Sequence, residues 1–256
     1  MHLIIFNLEL IVVGLLAGIV STAAGLASLV SYPALLMLGL SPVMANVTNT
    51  FGTITSSFSS VITSLPELKK SVKQLLYLIP ITFIGAIMGS LLLFMLPGKT
   101  FQNLVPLFML LAAFMLLKPG KKAPAEGEFV KIEPSFLKKA LSFGGIFIVS
   151  IYQGYFGAGS GALLLALMMV IYSDKTFAEN NALKNASAGL TNVISIIIYA
   201  TKTTILWGYV LPMAIGFFVG GILGPMIARR VPQKIMKTIV GLGAILLAIV
   251  LFFRNH

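Results

Sequence analysis

The chain has 256 residues, 58% of them hydrophobic and only 10% charged, with a mean hydropathy of +1.01. Soluble domains carry roughly 25% charged residues, so a water-soluble globular protein is excluded. The formal net charge is +11, but the basic residues sit in short gaps between apolar runs, as membrane proteins place them, which argues against nucleic acid as a partner. Cysteine is absent, and the two histidines are His2 and His256. A disulfide framework, a thiolate nucleophile and a Cys/His metal site are therefore not expected, and no cofactor is implied.

Ten apolar segments follow in chain order, at about 4–22, 25–40, 44–64, 75–96, 101–117, 137–156, 161–173, 183–201, 207–227 and 235–253. Several reach the ~20 residues that a helix needs to cross a bilayer. The first lacks the basic start of a signal peptide, since only Met1 and His2 precede its apolar run and its one early charge is Glu9. It is read as part of the fold. The second and seventh segments are short, and each follows its predecessor across a Gly/Ser/Ala break without a polar loop. That pattern fits a re-entrant hairpin or a broken helix, which protein or a water-filled cavity must cover. Between the fifth and sixth segments, Lys118 to Pro134 is polar, Pro/Gly-rich and mixed in charge, as a cytoplasmic linker should be. The chain thus divides into a first membrane repeat at 1–117, a linker at 118–136 and a second membrane repeat at 137–256.

Charge orients these segments. With ten segments, or with the short pairs folded back, and with both termini outside the cytoplasmic membrane, loops alternate sides. Fifteen Lys/Arg residues then fall inside, while only Lys99, Lys202 and Arg254 fall outside. Eight continuous crossings would reduce the split to eleven against seven, so the positive-inside rule prefers the first arrangement.

The two halves repeat one another. Gly18, Gly25 and Asn49 fall on Gly154, Gly161 and Asn185 at an offset of 136. Further along, Gly85, Gly89, Pro97 and Lys99 fall on Gly220, Gly224, Pro232 and Lys234 at an offset of 135. Gly85-x-x-x-Gly89 and the ladder Gly216, Gly220, Gly224 are close-approach faces for helix packing. Gly52, Ser56 and Ser60 form another small-residue face, suited to packing or to lining a path. Five segments per copy is an odd number, so the copies must be inverted. The expected fold is an all-α polytopic membrane protein of about 8–10 helices, including short re-entrant or broken ones, built from two inverted repeats. Such repeats put a substrate site near the membrane midplane at their interface.

The pattern Gly18…Gly25…Pro33, then Ser41-Pro42-x-x-Ala45-Asn46-x-Thr48-Asn49, resembles the TauE/SafE sulfite exporter family, also called TSUP. The second half, with Gly154, then Gly159-Ser160-Gly161 and Asn185, is similar to that family's second half. The resemblance covers nearly the whole chain. It implies transport of small sulfur-containing anions, such as sulfite or organosulfonates, across the cytoplasmic membrane. It leaves the coupling ion open between a proton and sodium. The chain departs from the pattern in two places: the first copy reads Ala23-Ala24-Gly25, where the family usually carries more glycine, and the second reads Asn181-Ala182-Leu183-Lys184-Asn185. The two half-sites are therefore unequal.

An oxyanion in a membrane needs donors without a large excess of fixed charge. Helix starts and glycine turns offer backbone N–H groups for that purpose. The turns Ser21–Gly25 and Gly157–Gly161 each precede a short helix, and Ser21, Thr22 and Ser160 add hydroxyls. Gly25, Gly157, Gly159 and Gly161 would let backbone approach an anion, or would only permit tight packing. Asn46, Thr48 and Asn49 begin the third segment, where one of them could cap the helix and the others meet substrate or water. Asn185, Thr191 and Asn192 form the second polar set, for substrate or interhelical bonding. Lys184 replaces Thr48 in the repeat register. It would attract an anion, pair with Glu179, or snorkel to the cytoplasmic surface. Glu9 is a second titratable group, expected at the outer surface. A serine nucleophile at Ser160 lacks an internal histidine as base, and the glycine run lacks the Lys-Ser/Thr ending of a P-loop, so an enzyme is not expected. An anion channel and a transporter of non-sulfur organic anions are the alternatives.

Overall fold

In the computed structural model of this protein the described residues are 2–96 and 136–230, with single positions at 110, 114, 235, 238, 242, 245 and 249. Apart from those positions, the fifth and tenth segments and the linker lie outside the described residues. Among the described residues the first half supplies α1 (His2–Ala24), α2 (Ser28–Met37), α3 (Pro42–Thr63), α4 (Leu65–Lys69) and α5 (Val72–Met95). The second half supplies α6 (Phe136–Tyr155), α7 (Ser160–Ile171), α8 (Phe177–Lys202) and α9 (Trp207–Arg230).

Three of these helices, α1, α5 and α9, are long and apolar enough to cross a membrane. α3 and α8 have the length, 22 and 26 residues, but carry a buried polar face. With 10 and 12 residues, α2 and α7 rise only ~15 and ~18 Å, against a hydrocarbon core of ~30 Å. The outward surface is apolar. Ile4, Leu8, Val12 and Leu16 recur every four residues along α1 and are exposed, as are Trp207, Leu211 and Ile215 on α9. A stripe of this kind suits contact with lipid.

Local chemistry sets the helix starts. Ser41 caps α3, its Oγ accepting from Met44 N at 3.4 Å, with Pro42 in the first turn. Thr176 and Glu179 form a reciprocal capping box at the start of α8. Two expectations change here. α8 starts six residues before the expected position 183, because the capping box carries the helix through the polar run Glu179-Asn180-Asn181. Asn46, Thr48 and Asn49 do not begin α3; Ser41 holds the cap, and they lie in its second turn.

The halves interlock reciprocally. α1 packs on α9, and α6 packs on α5; α3 lies on α9, and α8 on α5. Glycine makes the first two contacts close. A Cβ on Gly18 would lie 2.7 Å from Phe217 O, and one on Gly220 2.7 Å from Ile19 N. At the other contact a Cβ on Gly85 would lie 2.6 Å from Ser150 Cβ, and one on Gly154 2.6 Å from Ala86 O. Tyr199, fully buried on α8, donates to Gly154 O at 2.5 Å and ties α8 to the end of α6. Of the small face on α3, Gly52 accommodates the Phe217 ring, with a Cβ there meeting ring carbons at 2.5 Å.

Candidate functional site

Each half breaks a helix near its start: α1 gives way to α2 between Ala24 and Ser28, and α6 to α7 between Tyr155 and Ser160. At these breaks Gly25 has φ +80°, Gly157 +77° and Gly159 +75°, left-handed conformations that a side chain resists. The breaks touch. A Cβ on Gly161 would lie 2.7 Å from the Gly25 Cα, and one on Gly25 would run into the Gly161 carbonyl carbon. Two turns 136 residues apart in sequence meet backbone to backbone.

Beside that contact lies a cavity of about 50 Å³. One water requires ~10–15 Å³ on this measure, so the space suits a few waters or a small oxyanion. α3 contributes Asn49, Thr50, Thr53 and Ser57, and α8 contributes Lys184, Asn185, Ala188 and Asn192. Asn49, Thr53 and Ser57 recur every four residues, as do Lys184, Ala188 and Asn192, with Thr50 and Asn185 beside them, which puts each set on one helix face. The first break adds Ser21, Gly25, Ala27 and Ser28; the second adds Gln153, Phe156, Gly157, Ser160 and Gly161. The starts of α2 and α7 therefore reach the cavity. A helix start presents N–H groups without intrahelical acceptors and a partial positive charge.

The wall is tied together by side-chain bonds that cross between helices. Asn49 donates from Nδ2 to Ser28 Oγ at 3.0 Å, and its Oδ1 accepts from Ser31 Oγ. Asn185 donates to Thr22 O at 3.0 Å and to Ser60 Oγ at 2.7 Å. Asn192 donates to Thr53 Oγ1 at 3.0 Å and accepts from Gln153 Nε2 at 3.2 Å. Ser160 Oγ donates to Gly157 O at 2.8 Å within its own turn.

Lys184 is 1% exposed, and its ammonium donates to Ser21 O at 3.0 Å and Thr22 O at 3.4 Å. These carbonyls end α1, where helix dipoles favour cations. The expected alternatives for this residue are thereby corrected. Lys184 does not snorkel to a surface, because its helix starts two turns earlier and buries it. Nor does it pair with Glu179, whose carboxylate bonds to Thr176 N at 2.9 Å and Thr176 Oγ1 at 3.0 Å. Among the described residues lining the cavity, Lys184 is the one ionisable side chain, and none is a carboxylate. No group of three or more His, Cys, Asp or Glu residues that could hold a metal occurs among the described residues.

The structure brings nine of the expected site residues to the wall: Ser21, Gly25, Asn49, Gly157, Ser160, Gly161, Lys184, Asn185 and Asn192. Five lie off it. Thr22 offers its carbonyl to Asn181, Lys184 and Asn185, while its hydroxyl donates to Gly18 O at 2.9 Å. Asn46 donates to Tyr155 O at 3.2 Å and closes the end of α6. Thr48 Oγ1 is buried without a hydrogen-bond partner among the described residues. Thr191 donates to Ser187 O at 3.0 Å inside α8. Gly159 provides the left-handed turn that starts α7.

The family model for the sulfite exporter TauE/SafE matches residues 10–251, a span that contains both breaks and both polar helices. The chain belongs to the TauE/SafE sulfite exporter family. Similar proteins include the probable membrane transporter protein YfcA of Escherichia coli K12, 25% identical over 180 residues, which cover 70% of this chain and 64% of that protein. The probable membrane transporter protein ORF9 of a Sinorhizobium species is 24% identical over 166 residues, covering 64% of this chain and 61% of its own length. The matches thus span a little under two thirds of those relatives. No solved structure shows a significant match. Within this family fold, the sequence reading passed over Thr50, Thr53, Ser57 and Gln153. Continuing the Asn46/Asn49 face at three- and four-residue steps leads to Thr53 and Ser57, and Gln153 is an amide inside an apolar segment next to a helix break.

Proposed function

We propose that this chain is a transporter of small anions in the cytoplasmic membrane, and that sulfur oxyanions and small sulfonates are its substrates. The observation that carries this reading is the cavity, with one buried lysine, no carboxylate among its described lining residues, and hydroxyl and amide groups around it. A lysine ammonium and two helix starts favour an anion and disfavour a cation. The family's description as a sulfite exporter supports the sulfur class. A volume of about 50 Å³ accommodates a small oxyanion head such as sulfite or a sulfonate group.

Transport would proceed by alternating access, with elements of the two halves moving around the cavity. The reciprocal pairing of α1 with α9 and of α6 with α5 supports an inverted repeat. In the proposed orientation both termini are outside, and the linker and Arg229 face the cytoplasm. The division into 1–117, 118–136 and 137–256 is part of the same proposal.

The test is a binding screen of purified protein against sulfite, thiosulfate, methanesulfonate, sulfoacetate, taurine, sulfate and carboxylate analogues. Lys184→Gln should weaken the tightest sulfur anion at least tenfold, or about 1.4 kcal/mol. Lys184→Arg keeps the charge in a different shape and should retain part of the affinity. Unchanged affinity in folded Lys184→Gln protein, or a preference for a carboxylate or a cation, would overturn the assignment. Saturable counterflow in proteoliposomes would separate a carrier from a channel.

A further inference from the structure

Among the described residues, no carboxylate lines the cavity beside its lysine. Lys184 is 1% exposed, and two backbone carbonyls hold its Nζ, at 3.0 and 3.4 Å. The helices that meet α8 around it supply no carboxylate at the wall. α3 and α7 contain no Asp, Glu, Lys, Arg, His or Tyr at all. α1 has Glu9 as its one acidic residue, about three turns from Ser21, with His2 at its start. The titratable residues of α2 and of the described side chains of α6 are Tyr32, Tyr152 and Tyr155, none of them among the lining residues. α4 and α5 carry Glu67, Lys69, Lys73 and Tyr77, and α9 carries Tyr209, Arg229 and Arg230; these too are absent from the wall. On α8 itself Glu179 is engaged with Thr176, and Tyr199 and Lys202 lie four or more turns further along.

A single buried charge behaves differently when its site is full and when it is empty. Full, the ammonium and a monoanion neutralise one another. Empty, the ammonium has only dipoles for company, and an unpaired buried charge is costly. Lysine can leave that state by giving up its proton, which arginine cannot.

We propose that Lys184 couples the anion to a proton, so that the cavity takes up one H⁺ with each monoanion and releases both. The step is balanced: a neutral Lys184 amine, one proton and one anion give an ammonium–anion pair, and the reverse restores the amine. No net charge moves with the loaded or the empty site. This coupling rests on the anion-transporter reading and adds the identity of the co-transported ion. It also explains why a threonine suffices at the equivalent position, Thr48, since a second lysine would double the charge.

Methanesulfonate is the first probe, because it carries one negative charge at every pH used. Sulfite is the second, with its own proton subtracted. Calorimetric titration of the full-length protein in two buffers of different ionisation enthalpy reads protons taken up per anion bound. On the alkaline side of the lysine's titration, wild-type protein should take up close to one proton per anion. Its affinity should there fall about tenfold per pH unit, or about 1.4 kcal/mol. Lys184→Arg should bind more weakly but lose both the proton uptake and the pH slope. In proteoliposomes, wild-type methanesulfonate flux should be insensitive to membrane potential and driven by a pH gradient. Binding without proton uptake at any pH, or a slope that survives in Lys184→Arg, would overturn the coupling and leave the anion site standing. Failure of every anion to bind would overturn both. The wild-type proton count decides the question even where a variant does not fold.

Discussion

The contact between Gly25 and Gly161 can be dissected by adding single methyl groups. Gly25→Ala suffers two penalties. Its φ of +80° is left-handed, which costs an L-residue ~1–2 kcal/mol. Its Cβ would also lie 2.7 Å from the Gly161 Cα and closer still to the Gly161 carbonyl carbon, so two backbones must part, and overpacking of this kind costs ~1–3 kcal/mol. Gly39→Ala isolates the first penalty, because Gly39 has φ +87° with nothing within 4 Å of its Cβ position. Gly161→Ala isolates the second, because Gly161 lies in helix α7 and its Cβ would be 2.9 Å from Gly25 O. Thermal unfolding in one detergent should therefore rank Gly25→Ala as the most destabilising, by ~2–5 kcal/mol, close to the sum of the other two. At roughly 2–4 °C per kcal/mol its midpoint falls by at least about 4 °C. Sulfite binding should be lost in Gly25→Ala and Gly161→Ala and kept in Gly39→Ala. A midpoint for Gly25→Ala no lower than that of Gly39→Ala would refute the backbone contact between the two breaks.

Three further outcomes follow from local chemistry. Thr176→Ala removes one arm of the capping box at the start of α8 and should lower stability by about 1 kcal/mol in denaturant or thermal unfolding. Asn185→Ala strips donors from Thr22 O and Ser60 Oγ and should destabilise by ~1–3 kcal/mol while also weakening anion binding; a stable variant with unchanged binding would remove Asn185 from the site. For orientation, Lys202→Cys should be labelled by an impermeant thiol reagent in intact cells and Arg230→Cys only after permeabilisation, a clean comparison because the chain has no native cysteine.

Much of this architecture was legible because repeated glycines mark where two backbones meet. Gly18, Gly85, Gly154 and Gly220 pair across halves in the structure, and each is half of an equivalence already visible in the sequence. Side-chain direction was harder to read. The Gly52, Ser56, Ser60 stripe is conspicuous, yet Gly52 meets Phe217 on α9, and the cavity belongs to the neighbouring Asn49, Thr53, Ser57 face. A one-residue shift rotates a helix face by about 100°, so a polar face and a packing face are easily exchanged when both are made of small residues. Lys184 was hidden for a different reason. Hydropathy places a segment start after the last polar residue, whereas the Thr176/Glu179 capping box places it before three of them. Shifting that start by six residues turns an interfacial lysine into a buried one.

The asymmetry between halves then acquires a physical role. A symmetric pair of lysines at positions 48 and 184 would place two like charges near one small cavity, where mutual repulsion disfavours ionising both. The chain instead divides the labour. The first half lines the cavity with hydroxyls, Ser21, Ser28, Thr50, Thr53 and Ser57, while α8 of the second half brings the single charge and two amides, Lys184, Asn185 and Asn192. That charge is held against Ser21 O and Thr22 O of the first half. Any movement that separates α1 from α8 must break this attachment or carry it along. Under the proposed function, an anion arriving with its proton would compete for the same Nζ, and so act on the bond that joins the two halves at their breaks. Substrate recognition and relative movement of the halves would then be linked through one side chain.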